Sequence, residues 1–175
     1  LTAEFAKEAA SQWTQLLDQS LLDMQTHFID AYYIMMVADP RIVQCEEIYS
    51  RFVAARDAGK VKYFGISTHQ NAAECLEAAV ETGWYDLAMI ATAPSGWYDG
   101  ISQRLITDRP PLKELRPLLD KARGAGIGLV GMKAARHIGA TPAGERDTTV
   151  FDSYYPASAL AKPYSPFTLV ELIRK

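Results

Sequence analysis

Apolar residues recur along this chain in two alternating rhythms. Over residues 3–25, Phe5, Ala9, Trp13, Leu16, Leu17, Leu21 and Met24 return at spacings of three and four, which predicts a helix with one apolar stripe. Residues 28–37 then form a nearly unbroken apolar run, interrupted by Asp30 and stopped by Asp39-Pro40. A run without period-two alternation suits a strand covered on both faces, as in a parallel sheet. A second helix is predicted over 42–57, with Ile42, Cys45, Ile48, Tyr49, Phe52 and Val53 on one face and Gly59 as its stop.

The same alternation continues. Residues 61–67 read as a second strand, and Asn71 is placed to cap a third helix, with Glu74 completing a capping-box-like pair. Leu76, Ala79 and Val80 form the inner face of that helix and Gly83 ends it. Residues 85–92 make a third strand, and 94–108 read as a loop leading to Pro110-Pro111, which suit a helical first turn. Leu112, Leu115, Leu118, Leu119 and Ala122 then face inward. Gly124 and Gly126 break this helix before a fourth buried strand over 127–133. Residues 134–166 read as an irregular loop and 167–174 as the opening of another helix.

Four strands alternating with helices across short connections predict βαβ units, a parallel sheet and right-handed crossovers. The expected fold class is α/β, a parallel (β/α) barrel of the TIM type, present as a partial barrel of about four strand–helix units. Composition bounds that picture. The 175 residues, 49% of them apolar and 22% charged, suffice for a real core. A complete eightfold barrel needs about 250 residues. Residues 1–175 are therefore read as a single domain or a fragment of one barrel domain.

Charge and cysteine usage narrow the partners. A net charge of −3, a pI near 5.6 and the lack of any basic run argue against nucleic acid and anionic membrane. No apolar run approaches the roughly 20 residues needed to span a bilayer. Cys45 and Cys75 fall on predicted helices without metal-ligand spacing, so no metal is expected. Read as two buried small side chains, they are compatible with a reducing, cytoplasmic compartment. No signal peptide pattern is visible, and a start at Leu1 leaves room for upstream sequence that was removed.

Four stretches carry a family likeness. Ser20-Leu21-Leu22 with Phe28-Ile29-Asp30-Ala31-Tyr32-Tyr33-Ile34, then residues 58–67, then Tyr85-Asp86 with a strand ending in Pro94, then residues 125–133 follow one another in order. Together they resemble the aldo-keto reductases over roughly residues 15–135. The resemblance implies that the chain holds strands four to seven of the family barrel, the first three and the eighth being absent. Half a barrel leaves unpaired edges and apolar faces. A piece of a longer protein answers that best; pairing with another copy, a homo-oligomer, or a compact four-stranded sandwich are the other arrangements.

The resemblance also implies a chemistry. The family reduces a small-molecule carbonyl substrate by hydride transfer from NADP(H), with a Tyr as general acid helped by Asp, Lys and His. The Asp, Tyr and Lys belong to segments around the first three strands, so the catalytic residues are unassigned here. The His position is occupied by Met35, beside Met36, and a thioether neither donates nor holds a proton. Ser67 stands where the family holds the nicotinamide carboxamide, followed by Thr68 and then His69, a second ligand or a substrate-facing acid. Thr92 takes the place of the Tyr that stacks on the nicotinamide, with Ala93 after it, and Trp97 or Tyr98 are placed to compensate. Lys133, at the end of the fourth strand, is a candidate for the cofactor pyrophosphate. Arg136-His137 and the residues to Pro166 match a loop that folds over the dinucleotide in the family.

Two competitors remain. A non-catalytic relative that binds a nucleotide or a partner is favoured by Met35, Thr92 and Ala93. A different barrel enzyme would use Lys133 as a Schiff-base amine.

Overall fold

The computed structural model describes residues 1–93, 96–99, 104–106 and 115–132. Pro110-Pro111, Leu112, Lys133, Arg136-His137, and residues 134–166 and 167–174, expected as a loop and the opening of a helix, lie outside the described residues. By packing, the chain falls into two compact units, Leu1–Ile90 with Arg116–Val130, and Ala91–Leu115 with Gly131–Lys175.

The first unit opens with helix α1 (Ala3–Asp23), whose first turn is capped by the Thr2 hydroxyl accepting from the Phe5 amide at 3.2 Å. Ala6, Ala10, Trp13, Leu17 and Leu21 form its buried stripe. Phe5, Leu16 and Met24, which share its helical rhythm, are exposed instead. Strand β1 (Ile29–Ile34) follows, and pairs in parallel with β2 (Val61–Thr68) in the register Tyr33↔Gly65 and Ile34↔Ile66. β2 pairs in parallel with β3 (Leu87–Ala93). β6 (Gly128–Met132) pairs with β3, and the Gly128 amide donates to the Asp86 carbonyl at 2.8 Å, so both strands start from one end.

The expected helix over 42–57 is two helices, α2 (Pro40–Val43) and α3 (Glu46–Asp57). At the break Cys45 is extended and its amide turns to the Ile42 carbonyl at 3.2 Å, while the Val43 carbonyl accepts from the Tyr85 hydroxyl at 2.7 Å. Helix α4 (Ala72–Thr82) begins at Asn71 and ends at left-handed Gly83. The expected side-chain cap from Asn71 is not formed. Asn71 is itself left-handed (φ 48°), and its amide donates across to the Ala38 carbonyl at 2.9 Å.

Residues 94–108, expected as a loop, contain strands β4 (Gly96–Asp99) and β5 (Arg104–Ile106). Within the second unit β4 pairs antiparallel with the end of β3, Trp97 opposite Thr92, and with β5, Tyr98 opposite Leu105. Segments of three and four residues are too short for a two-residue period to stand out. Helix α5 (Arg116–Gly124) buries Ala122 and ends before left-handed Gly126.

The core of the first unit is aromatic and lies on the helix side of the sheet. Phe64 stacks between Phe52 (4.6 Å) and Tyr85 (4.6 Å), Tyr49 stacks on Trp84 (4.5 Å), and Trp13 meets Tyr32 and Phe64 edge-on. Each such side chain contributes about 1.5–3 kcal/mol by burial. Because side chains alternate along β2, Phe64, Ile66 and Thr68 face this helix layer. Tyr63, Gly65 and Ser67 face the other side, which is the interior side in a barrel.

Candidate functional site

The C-terminal ends of parallel strands are where barrel sites form, since the loops there converge. Ser67, at that end of β2, is fully buried, and its hydroxyl has no hydrogen-bond partner among the described residues. Its carbonyl is engaged, accepting from the Val37 amide at 2.9 Å. A buried hydroxyl without a partner is costly and rare, so its place at the strand end is informative.

Thr68 is equally buried but on the opposite face of β2, where its hydroxyl donates to the Gln70 carbonyl at 2.8 Å. That bond holds the turn leaving the strand. His69 follows, half-buried. Thus Ser67, Thr68 and His69 are consecutive at one strand end, and Ser67 alone of the strand pair Ser67–Thr68 faces the interior side. Thr92 belongs to the second unit, opposite Trp97 in the ladder.

The exit from β1 completes the mouth of the first unit. β1 ends at Ile34, the last residue paired with β2 (opposite Ile66), and Met35 and Met36 form the turn that leaves it. Met35 and Met36 are 65% and 55% exposed. Met36 is left-handed (φ 56°), as is Asn71, and a non-glycine residue held there stores about 1–3 kcal/mol. Two hydrogen bonds hold the turn in place, Val37 N to Ser67 O and Asn71 Nδ2 to Ala38 O. Beyond it the Asp39 carboxylate caps α2 through the Arg41 amide (2.9 Å) and pairs with the Arg41 guanidinium (2.6 Å), which holds the carboxyl below its usual range.

Tyr33 is an interior-facing residue that the sequence did not single out. Its ring lies over Gly65, where an added Cβ would stand 2.5 Å from Tyr33 Cδ1 and Cε1. A glycine inside a strand is the signal that something approaches closely, and Gly65 carries it. Burial pushes the Tyr33 phenol above its ordinary value.

Beside β1, between its uncovered edge and α1, runs a half-open groove of about 470 Å³ lined by Phe5, Trp13, Leu16, Ile34, Met35 and Ile48 among others. Among the described residues no three His, Cys, Asp or Glu side chains gather as a metal site. Nor is any helix among them long and apolar enough to cross a membrane. Cys45 and Cys75 are buried free thiols, and burial raises Cys75 to about 11.

Compared with known proteins, the chain matches the profile of the Aldo/keto reductase family over residues 6–156, most of its length. No curated protein and no solved structure matches it. That family has a TIM-type barrel, typically uses a nicotinamide cofactor, and acts on small carbonyl compounds. The match, together with a parallel sheet alternating with helices in the order the sequence pattern predicted, shows that this chain belongs to the aldo/keto reductase family of oxidoreductases.

Proposed function

We propose that this chain contributes the carboxamide-binding side of an NADP(H) site in a carbonyl reductase. The observation that carries the reading is the Ser67 hydroxyl, buried on the interior side at the strand end with no partner among the described residues. A primary amide presents both a donor and an acceptor, and a hydroxyl can answer either. The residues present therefore fit the nicotinamide end of the cofactor. When bound, the reduced nicotinamide supplies the hydride that a carbonyl carbon accepts.

This chain's own residues orient that exchange. Ser67 fixes the carboxamide and the tether through Val37 and Asn71 holds the adjoining turn. His69 is a further polar contact on the same exit, and Thr68 shapes it by holding Gln70. Two buried thiols suit a reducing, cytoplasmic setting.

A second reading rests on Met35. A thioether at the family's His position gives the carbonyl oxygen no proton. A relative that binds the nucleotide without turnover would tolerate it.

The test is direct titration of the full chain with NADPH and with NADH, followed by fluorescence, with Ser67→Ala beside it. NADPH should bind more tightly than NADH, and Ser67→Ala should weaken NADPH about tenfold, the value of roughly one good hydrogen bond. No binding of either nucleotide would reject the proposal. Binding with no NADPH oxidation across aldehydes and ketones would favour the second reading.

A further inference from the structure

We infer that the nicotinamide ring rests on a low floor made by Tyr33 and Leu87, each laid across a glycine in the interior row beneath Ser67; this deepens the reductase reading above and rests on it. The row runs across the parallel strands of the first unit. Tyr33 of β1 pairs with Gly65 of β2, Gly65 pairs with Leu87 of β3, and Gly128 of β6 lies against Leu87. Inside a barrel such rows stack as layers along the axis.

Large side chains and glycines alternate along this row, and each glycine is covered by a neighbour. A Cβ on Gly65 would stand 2.5 Å from Cδ1 and Cε1 of the Tyr33 ring, and one on Gly128 would stand 3.0 Å from Leu87 Cδ2. A side chain that occupies its neighbour's Cβ place lies along the sheet instead of rising from it. Barrel layers are ordinarily filled by bulky side chains from every contributing strand. Here two of the four positions supply none. Tyr33 and Leu87 are both half-buried, so each keeps part of its surface uncovered.

The next row toward the finishing end holds Ser67 beside Met89. The Ser67 hydroxyl is the buried group without a partner among the described residues. Two residues of β2 separate it from Gly65, about 7 Å along the strand. That is close to the reach of a pyridine carboxamide, from the ring centre through the amide to one hydrogen-bonded hydroxyl. A flat ring whose amide meets Ser67 therefore has its body over Gly65 and against Tyr33. The polarity of the two rows fits the same molecule. The amide finds a hydroxyl that can donate or accept, and the ring finds an aromatic and an aliphatic surface. Tyr33 is then a positioning residue for the cofactor, and Gly65 is the space that lets it lie low.

The experiment follows NADP+ on the isotope-labelled full chain by NMR, reading NOEs between protein and nucleotide, beside fluorescence titrations with NADPH. The Tyr33 ring protons should show NOEs to the nicotinamide protons, identified by their loss in Tyr33→Leu. Tyr33→Leu should weaken NADPH about fivefold, the value of one aromatic contact, while Tyr33→Phe keeps the ring and stays within about twofold. Gly65→Ala displaces the ring and should also cost about fivefold, and adding it to Tyr33→Leu should cost little more, because both act through one contact.

Thermal unfolding of each variant separates this role from packing, which would lower Tm and leave the affinity of the folded protein unchanged. If Gly65→Ala does not fold, the Tyr33 variants decide alone. Absence of NOEs from Tyr33 to the nicotinamide, or equal NADPH affinity in Tyr33→Leu and the parent chain, would overturn the floor. Weakening by Ser67→Ala in that same series would leave the reductase reading standing without it. No NADPH binding by the parent chain would reject both.

Discussion

The two ends of the parallel strands in the first unit are built on opposite terms. At the starting end the backbone and side-chain groups of Asp86 are all partnered. The Asp86 carboxylate accepts from the Phe64 amide (2.8 Å), the Asp86 amide donates to the Phe64 carbonyl (2.9 Å), and the Asp86 carbonyl accepts from Gly128. One residue thus ties β2, β3 and β6 together. At the finishing end the Ser67 hydroxyl is buried without a partner among the described residues, Met36 and Asn71 are left-handed, and two methionines face water. Left-handed backbone and exposed methionine occur at both ends, with Gln25 (φ 52°) and Met24 ahead of the start of β1; what distinguishes the finishing end, where barrel chemistry occurs, is the buried Ser67 hydroxyl without a partner among the described residues.

That contrast can be broken by mutation. The largest effect should come from Asp86→Ala, which removes a charged acceptor from a backbone amide and should cost about 2–3 kcal/mol in urea unfolding. Tyr85→Phe leaves the buried Val43 carbonyl without its donor, for a loss of about 1.5 kcal/mol by the same measurement. Met36→Gly should act in the opposite direction. Glycine relieves the left-handed backbone, so stability should rise by up to about 1 kcal/mol in the same urea unfolding. A loss of stability there would dissolve the contrast between the ends.

The smallest effect is electrostatic. Asp39 has its native pKa lowered, first by the hydrogen bond from the Arg41 side chain. A lowered value means the bond stabilises the fold above the ordinary carboxylate pKa of 3.8, and that this contribution fades as pH falls below it. The pair is exposed, so Asp39→Asn should only flatten the acid side of a Tm-against-pH curve, visible below about pH 4.

Much of this architecture was legible in the spacing of apolar residues. The α1 periodicity, the four runs that became parallel strands and the glycine stops at Gly83 and Gly126 all express local preferences. What escaped notice is non-local. At the break between α2 and α3 the Val43 carbonyl is met by Tyr85, which no window around Val43 contains. The Asn71 side chain serves Ala38 rather than its own helix, because the β1 exit comes within reach only once the sheet has formed. Ser67 is legible through its family motif, but the bond from the Val37 amide to its carbonyl joins two stretches that neither encodes alone.

The Tyr85 bond to Val43 also sets an order of events. The two residues are 42 positions apart, so during synthesis at about 5–20 residues per second the carbonyl waits some seconds for its phenol. Until the β2–α4–β3 crossover delivers Tyr85, the Val43 carbonyl has no access to that donor, so the bond ties the corner between α2 and α3 to the start of β3 only once both have been made.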